Sequence, residues 1–374
     1  AAKAKGTTGE IKSYAVYNYQ SEFKTGANAV ITTSAAGNVD NSNVNAWAVI
    51  NQDNSQTTFG DNVKIQARAS ESGLSVAVLN QTDSIVDFEG SLYVDGEGFS
   101  LYSTGGAVTN ALAAGKDKIL IGDMYSNSDG QINVLLDTAD SLFEGAALIG
   151  TAGGEINFTM SDLSLWRMLG DSSVTALAVS SGAIVDMTQY DDYQQLEISE
   201  LSGSGGEFIM KTDLASETDG DKLYVTDAAA GTSQFVQVND VSIINGAVVT
   251  GDKKLLLITD ASKNVEFIGK NLNNGGLWDI TPTLENGLAV GGSEEEWYLT
   301  KLRKEANNDT SVLLGAADNA YAMWRNTNDT MRQRLGDLRH NKINEGDGLW
   351  TRYTGGRFGG SGLDSRYNLY QLGY

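Results

Sequence analysis

The chain has 374 residues, a formal charge of −22, one proline, one histidine and no cysteine. Without cysteine there are no disulfides, no thiolate catalysis and no cysteine metal sites. The acidic balance argues against nucleic acid, because holding phosphate requires Lys and Arg. The charge is also uneven. Residues 301–374 hold 11 basic and 8 acidic residues, so residues 1–300 carry 15 and 40, a local −25 against a local +3. An acidic body of this kind favours solubility outside the cell.

The start, Ala1-Ala2-Lys3-Ala4-Lys5, has no apolar h-region, and no run reaches the ~18–20 apolar residues of a spanning helix. The expectation is a piece cut from a longer precursor. From about residue 27 to 300 one unit recurs, a short alternating apolar strand followed by a turn with Gly, Asn or Asp. Val63-Lys64-Ile65, Leu74 to Leu79, Ile85 to Phe88, Leu92-Tyr93-Val94, Ile132 to Leu136 and Ile156-Asn157-Phe158 are examples. Val174 to Val179, Ile184 to Met187, Leu196-Glu197-Ile198, Phe208-Ile209-Met210, Leu223-Tyr224-Val225, Phe235 to Val238 and Leu255 to Ile258 continue the series. Each is too short to bury a face alone, so stacked neighbours must complete the core. A β-sandwich series and a β-solenoid both satisfy that pattern. The short strands and uneven turns favour the solenoid, whose loops bulge from the coil without cost to the stack.

After Thr310 the period changes. Ala317, Ala320, Tyr321, Trp324, Asn328, Met331, Leu335 and Leu338 fall three or four apart, which predicts a helix of roughly 25 residues ending near Asn341 to Gly346. Alternation returns at Leu349 to Thr354 and at Leu369 to Tyr374 on either side of a glycine-rich turn. Aromatic dyad repeats of this sort suit outer-membrane barrel strands. Two strands cannot close a barrel, so residues 346–374 are expected to be poorly ordered or paired with a neighbour.

Candidate chemistry is sparse. Gly170-Asp171-Ser172-Ser173 lies near a nucleophile-loop pattern, but a serine triad needs an imidazole, and His340, in the predicted helix, is the only one. Asp191-Asp192, Asp219-Asp221 and Glu294-Glu295-Glu296 are the carboxylate groupings a glycan lyase or hydrolase would use, with nothing to mark any as buried. Asp123 to Gly130 and Asp219 to Lys222 are acidic turns that fit neither calcium-loop pattern. Gly115-Lys116 lacks the rest of a phosphate loop. Trp166 and Trp278 are expected in the core, and Trp297 at the seal of the last coil. No catalytic, cofactor or metal residue is assigned, no cofactor is called for, and binding residues stay unknown.

Several segments resemble pertactin-type autotransporter passengers, the type V secretion family. They are Leu165 to Val174 with Leu177 and Ser181 to Asp186, and Leu201 to Phe208 with Asp213 and Asp221 to Val225. Asn328 to Arg339 is similar to the helix before a translocator barrel, and Gly348 to Arg352 with Tyr367 to Gly373 to its opening strands. The resemblance implies an all-β fold: a right-handed parallel β-helix, then one α-helix and the first strands of an outer-membrane β-barrel. It implies a passenger over 1–202, a C-terminal β-helix region that assists folding over 203–300, a linker with the helix over 301–345, and a truncated barrel start over 346–374. Localisation is then the Gram-negative cell surface, with residues 1–300 outside. The partners are the chain's own barrel, and another copy or a host-surface or glycan receptor. The function expected is a non-enzymatic adhesin or self-association factor of aggregation, biofilm and virulence. A β-helical polysaccharide enzyme, or a folding stalk for an active region upstream, stands as the alternative.

Overall fold

The structure is a computed structural model. It describes residues 1–5, 11–36, 44–70, 73–244, 253–271, 277–313, 315–318, 320–321, 324, 350–360 and 363–373. Two compact units result: residues 1–272 with 281–302, and residues 273–280 with 303–374.

The first unit is a parallel β-solenoid. Strands three places apart in the chain pair in parallel, as Ala2–Lys5 does with Val30–Ala36 and Glu22–Lys24 with Gln56–Phe59. The coil therefore has three faces. Inward side chains stack in unbroken columns. One column runs Ile31, Ile65, Val94, Leu120, Phe143, Trp166, Val185, Phe208 and Val236, each paired with the next across adjoining coils. Apart from Ile31 at 8 % exposure, every member is inaccessible to solvent. Each strand lends only a few core residues, and the columns make them one continuous apolar interior.

The stack begins earlier than the periodicity suggests, because Ile11–Tyr19 is already a full member, paired with Val44–Gln52. Strands also run longer than the apolar runs in the sequence, as Leu74–Gln81 and Leu92–Thr104 do. Leu92–Thr104 serves two faces: residues 92–95 pair with Val63–Ala69, and 99–104 with Leu74–Gln81. Gly96 and Gly98 lie at the corner between them, where a Cβ on Gly96 would meet the Phe99 carbonyl at 1.7 Å.

At another corner the turn repeats from coil to coil. Asp53-Asn54, Thr82-Asp83, Gly105-Gly106 and Ser128-Asp129 all adopt positive φ, between 50° and 73°. This left-handed region explains why Asn, Asp and Gly punctuate the sequence there. The Asn54 amide donates to the Thr82 carbonyl (3.0 Å), Asp83 to Gly105 (2.8 Å) and Gly106 to Ser128 (3.0 Å), so each turn rests on the next.

A buried amide ladder lies just inside this corner. Asn18 Nδ2 donates to Asn51 Oδ1 at 2.9 Å, Asn51 Nδ2 to Asn80 Oδ1 at 3.0 Å, and Asn80 Nδ2 to Thr109 Oγ1 at 3.1 Å. The same amides also bond the carbonyls of Gln56, Ile85 and Val108. These polar groups tolerate burial because partners in the coils above and below satisfy them.

Parallel stacking stops at the C-terminal end. Glu296–Ala306 lies antiparallel against Leu255–Asp260, the last parallel rung of its face. Trp297 is partly buried, pairs with Ile258, and meets Phe267 edge-on at 5.7 Å between ring centroids. The expected seal is in place.

In the second unit, residues 308–313, 315–318, 320–321 and 324 are helical, so the helix starts just before the change of period. Asn307 caps it, its Oδ1 accepting the Thr310 amide at 2.8 Å. The remainder of the predicted helix, with His340, lies outside the described residues. Trp350–Gly360 and Leu363–Gly373 form an antiparallel hairpin that pairs Tyr353 with Tyr370. The two strands find each other as partners.

Candidate functional site

The residues singled out for catalysis serve the fold instead. Ser172 Oγ donates to the Gly170 carbonyl (3.0 Å) and accepts the Ala147 amide (3.1 Å), while Ser173 Oγ accepts the Ile149 amide (3.1 Å). Asp171 accepts the Gln195 amide at 2.8 Å. The segment is a coil turn that bonds its neighbours on both sides.

The acidic groupings differ among themselves. Asp191 and Asp192 are exposed, and the Asp191 carbonyl accepts from Lys211 Nζ at 2.8 Å. Glu294 and Glu295 lie 3.4 and 3.6 Å from Lys263 Nζ, and Glu296 accepts the Tyr298 hydroxyl at 2.9 Å. Asp221 is buried, which nothing in the sequence marked. It is fully inaccessible, and burial pushes its pKa up to about 6 against the pull of its two backbone hydrogen bonds. Its oxygens accept the amides of Gln194, at 2.8 Å, and Lys211, so it is a brace between coils. Its neighbours in sequence, Asp219 and Lys222, do not converge with it on an open site.

Asp123 is also shifted upward by burial, opposed by the Ala146 amide that it accepts. Among the described residues no group of three or more acidic or imidazole side chains is placed to hold a metal ion. Lys118, near Gly115-Lys116, is fully buried, and Nζ donates to the carbonyls of Ala113 (2.6 Å) and Lys116 (3.0 Å). Burial lowers its pKa and nearby Asp137 opposes the shift. It ties down its own loop.

Of the tryptophans, Trp166 is fully buried in a three-ring cluster with Phe143 and Phe158, at ring distances of 5.5 and 5.2 Å, and Nε1 donates to the Gly145 carbonyl at 3.0 Å. Trp278 is not a core residue. It is 44 % exposed, with Lys304 Nζ 4.7 Å above its ring. Its strand lies after the parallel stack has ended, where no further coil covers it.

The organised surface features are lanes of like side chains. On one face Asn157 donates to Asn133, Asn133 to Asn110 and Asn110 to Asp87, each at 2.9 Å, giving one half-buried polar group per coil. A second face carries three adjoining lanes. Tyr14, Trp47, Val76, Phe99 and Asp123 form the first, with Val76 buried, and Tyr17, Ile50, Leu79, Tyr102, Tyr125 and Leu148 the second, with Ile50 buried. The third, Tyr19, Gln52, Gln81, Thr104 and Asn127, is polar. Reading strands one at a time hides these lanes. Their residues sit 23–33 positions apart, and only the register of the coils aligns them.

Comparison with known proteins bears on the body of the solenoid. Residues 174–301 match the family model described as Pertactin. The chain is 27 % identical over 247 residues to the autotransporter CRAC of Citrobacter rodentium, covering 58 % of this chain. It is 28 % identical over 233 residues to the autotransporter adhesin/invasin TibA of Escherichia coli, covering 59 %. Over these regions the chain is similar to pertactin-like autotransporter passengers. It spans 14 % and 21 % of the length of those two relatives. A crystal structure of the Haemophilus influenzae Hap adhesin is 13 % identical and aligns with a TM-score of 0.36, covering 77 % of this chain and 33 % of the solved chain. The likeness to autotransporters sets the chain at the Gram-negative cell surface.

Proposed function

We propose that this chain is a non-enzymatic adhesin, acting in cell-to-cell association, whose rod of coils presents the same contact many times over. The observation that carries the reading is the Asn157–Asn133–Asn110–Asp87 ladder, which repeats one half-buried polar group at each coil, an amide at three of them and a carboxylate at the fourth. Single exposed hydrogen bonds are weak, and a row of them on one rigid support adds by multivalency. The name of the relative TibA, an adhesin/invasin, points the same way. The local −25 over residues 1–300 opposes side-by-side contact of two copies, so association strengthens as salt screens it.

In the same reading residues 203–300 assist folding during export, residues 301–345 lead to the barrel, and the Trp350–Gly373 hairpin is the barrel's opening. The test is the settling of cells that display the full parent protein. Replacing Asn110, Asn133 and Asn157 by Lys slows settling if the ladder is adhesive. Unchanged settling by a correctly folded triple variant refutes the reading.

A further inference from the structure

The third face of the coil carries a lane that neither the core nor the polar ladder requires. It lies on the outer side of the strands whose inward residues make the Ile31-to-Val236 column. Tyr93, Ile119, Leu142, Leu165 and Ile184 stand in register on five successive coils and alternate with that column, so they point away from the core. None of the five is charged and none is buried; each is partly open to solvent. Lys64 precedes the lane and Glu207 follows it, so charge bounds the apolar run at both ends. A contiguous apolar stripe facing water marks an interaction surface.

Two residues further along the same strands runs a mixed lane of Ile121, Glu144, Arg167, Asp186 and Ile209. Arg167 donates to Glu144 at 3.1 Å across adjoining coils, and the two side chains stay 43 % and 32 % exposed. Asp186 is taken up by its own turn, where it accepts the Thr188 amide and hydroxyl and the Gln189 side-chain amide. Asp95, level with Tyr93, is buried and paired with Arg68. The open charges of this lane are therefore one cation and one anion, on the coils of Leu165 and Leu142.

We infer that this face pairs with its equivalent on a second copy of the chain, the two coil axes running antiparallel. A two-fold axis along the strand direction, between the coils of Leu142 and Leu165, lays each face on the other. Leu142 then meets Leu165 of the second copy, and Ile119 meets Ile184. The same axis sets Glu144 opposite Arg167 of the second copy and Arg167 opposite its Glu144, closing a square of alternating charge. Tyr93 comes level with Glu207, which is buried and held by Gln237 and Lys270, so no free carboxylate faces the ring. Parallel axes joined on the apolar lane would put the two mixed lanes on opposite sides, where no such pairing forms. A partner of one charge sign matches only half of this face, whereas a second copy matches both signs.

Five rungs about 4.8 Å apart and two lanes wide offer on the order of 300–400 Å² per copy, below the ~800 Å² of a standard interface. A single contact is therefore weak and suits copies held close together on one surface. The inference rests on the adhesive reading for its setting and uses a face separate from the Asn ladder.

The test is sedimentation velocity of the purified chain at physiological ionic strength, at concentrations rising to the millimolar range. The expected result is a reversible dimer that Glu144→Arg alone and Arg167→Glu alone each weaken about tenfold or more. Mixing the two single variants in equal amounts restores it, because two cations on one copy then face two carboxylates on the other. Mixing cannot rescue a variant that has merely lost its fold, and matched urea midpoints check each one. A wild-type chain that stays monomeric throughout overturns the inference. So does a dimer that both single variants leave unchanged, or a mixture that associates no better than either variant alone. Settling that depends on the Asn ladder while the chain sediments as a monomer would remove this inference and leave the adhesive reading standing.

Discussion

Replacing Asn51 by alanine should destabilise the N-terminal coils far more than any outward substitution. Asn51 is fully buried, and five polar atoms of neighbouring residues address its amide. Nδ2 donates to the carbonyls of Ser55 (3.2 Å) and Ile85 (2.9 Å) and to Asn80 Oδ1 (3.0 Å). Oδ1 accepts from Asn18 Nδ2 at 2.9 Å and Thr57 Oγ1 at 2.8 Å. Alanine removes the amide and leaves these five buried atoms without it. A buried polar group left unsatisfied costs about 1–3 kcal/mol, and more than one is created, so a loss of roughly 3–5 kcal/mol is expected. Coils of a solenoid contact only their neighbours, so the loss should appear first in the coils around the ladder. Urea unfolding followed by tryptophan fluorescence, with Trp47 on the same strand as the change and Trp166 remote from it, reads both regions. Asn157→Ala, on the half-buried outer ladder, should cost less than about 1 kcal/mol in the same assay. Equal effects of the two substitutions, or a cost below about 1 kcal/mol for Asn51→Ala, would refute the claim that the inner ladder holds the coils together.

Two further predictions concern the middle of the stack. Trp166→Ala removes one ring of the cluster with Phe143 and Phe158 and frees the Gly145 carbonyl, so a loss of about 3–5 kcal/mol in a urea titration is expected. Asp221 has a folded pKa of about 6 against 3.8 unfolded, so its charged form opposes folding above that range. Its contribution therefore rises as pH falls from 7 towards 4 and is lost again on the way back up. Asp221→Asn should flatten the gain in urea midpoint across that window, although it lowers stability at every pH by disturbing one of the two backbone bonds.

Much of the architecture was legible because it rests on local chemistry. Alternation placed Phe208, Leu223 and Val236 inward, and the scarcity of proline left the backbone free to pair at every coil. Trp166 in the core and Trp297 at the seal followed from the same pattern. What escaped the sequence depends on register between coils. Asn18, Asn51 and Asn80 look like turn residues, yet each occupies a core position made tolerable by the next. Asp221 reads as one acid among many until its two amide partners enclose it. Trp278 looks as apolar as Trp166, but it lies past the last parallel rung. The aromatic and amide lanes are invisible for the same reason, since their members are a whole coil apart in the chain.

The central claim is that function resides in a contact repeated along the rod and not in one discrete site. The most direct measurement is the settling rate of cells displaying the parent protein with one, two and then three of Asn110, Asn133 and Asn157 changed to Lys. Multivalent contact predicts that each added substitution slows settling further, whichever position is changed first. Complete loss on changing one position, with no effect from the other two, would contradict the account and place the activity in a single local site.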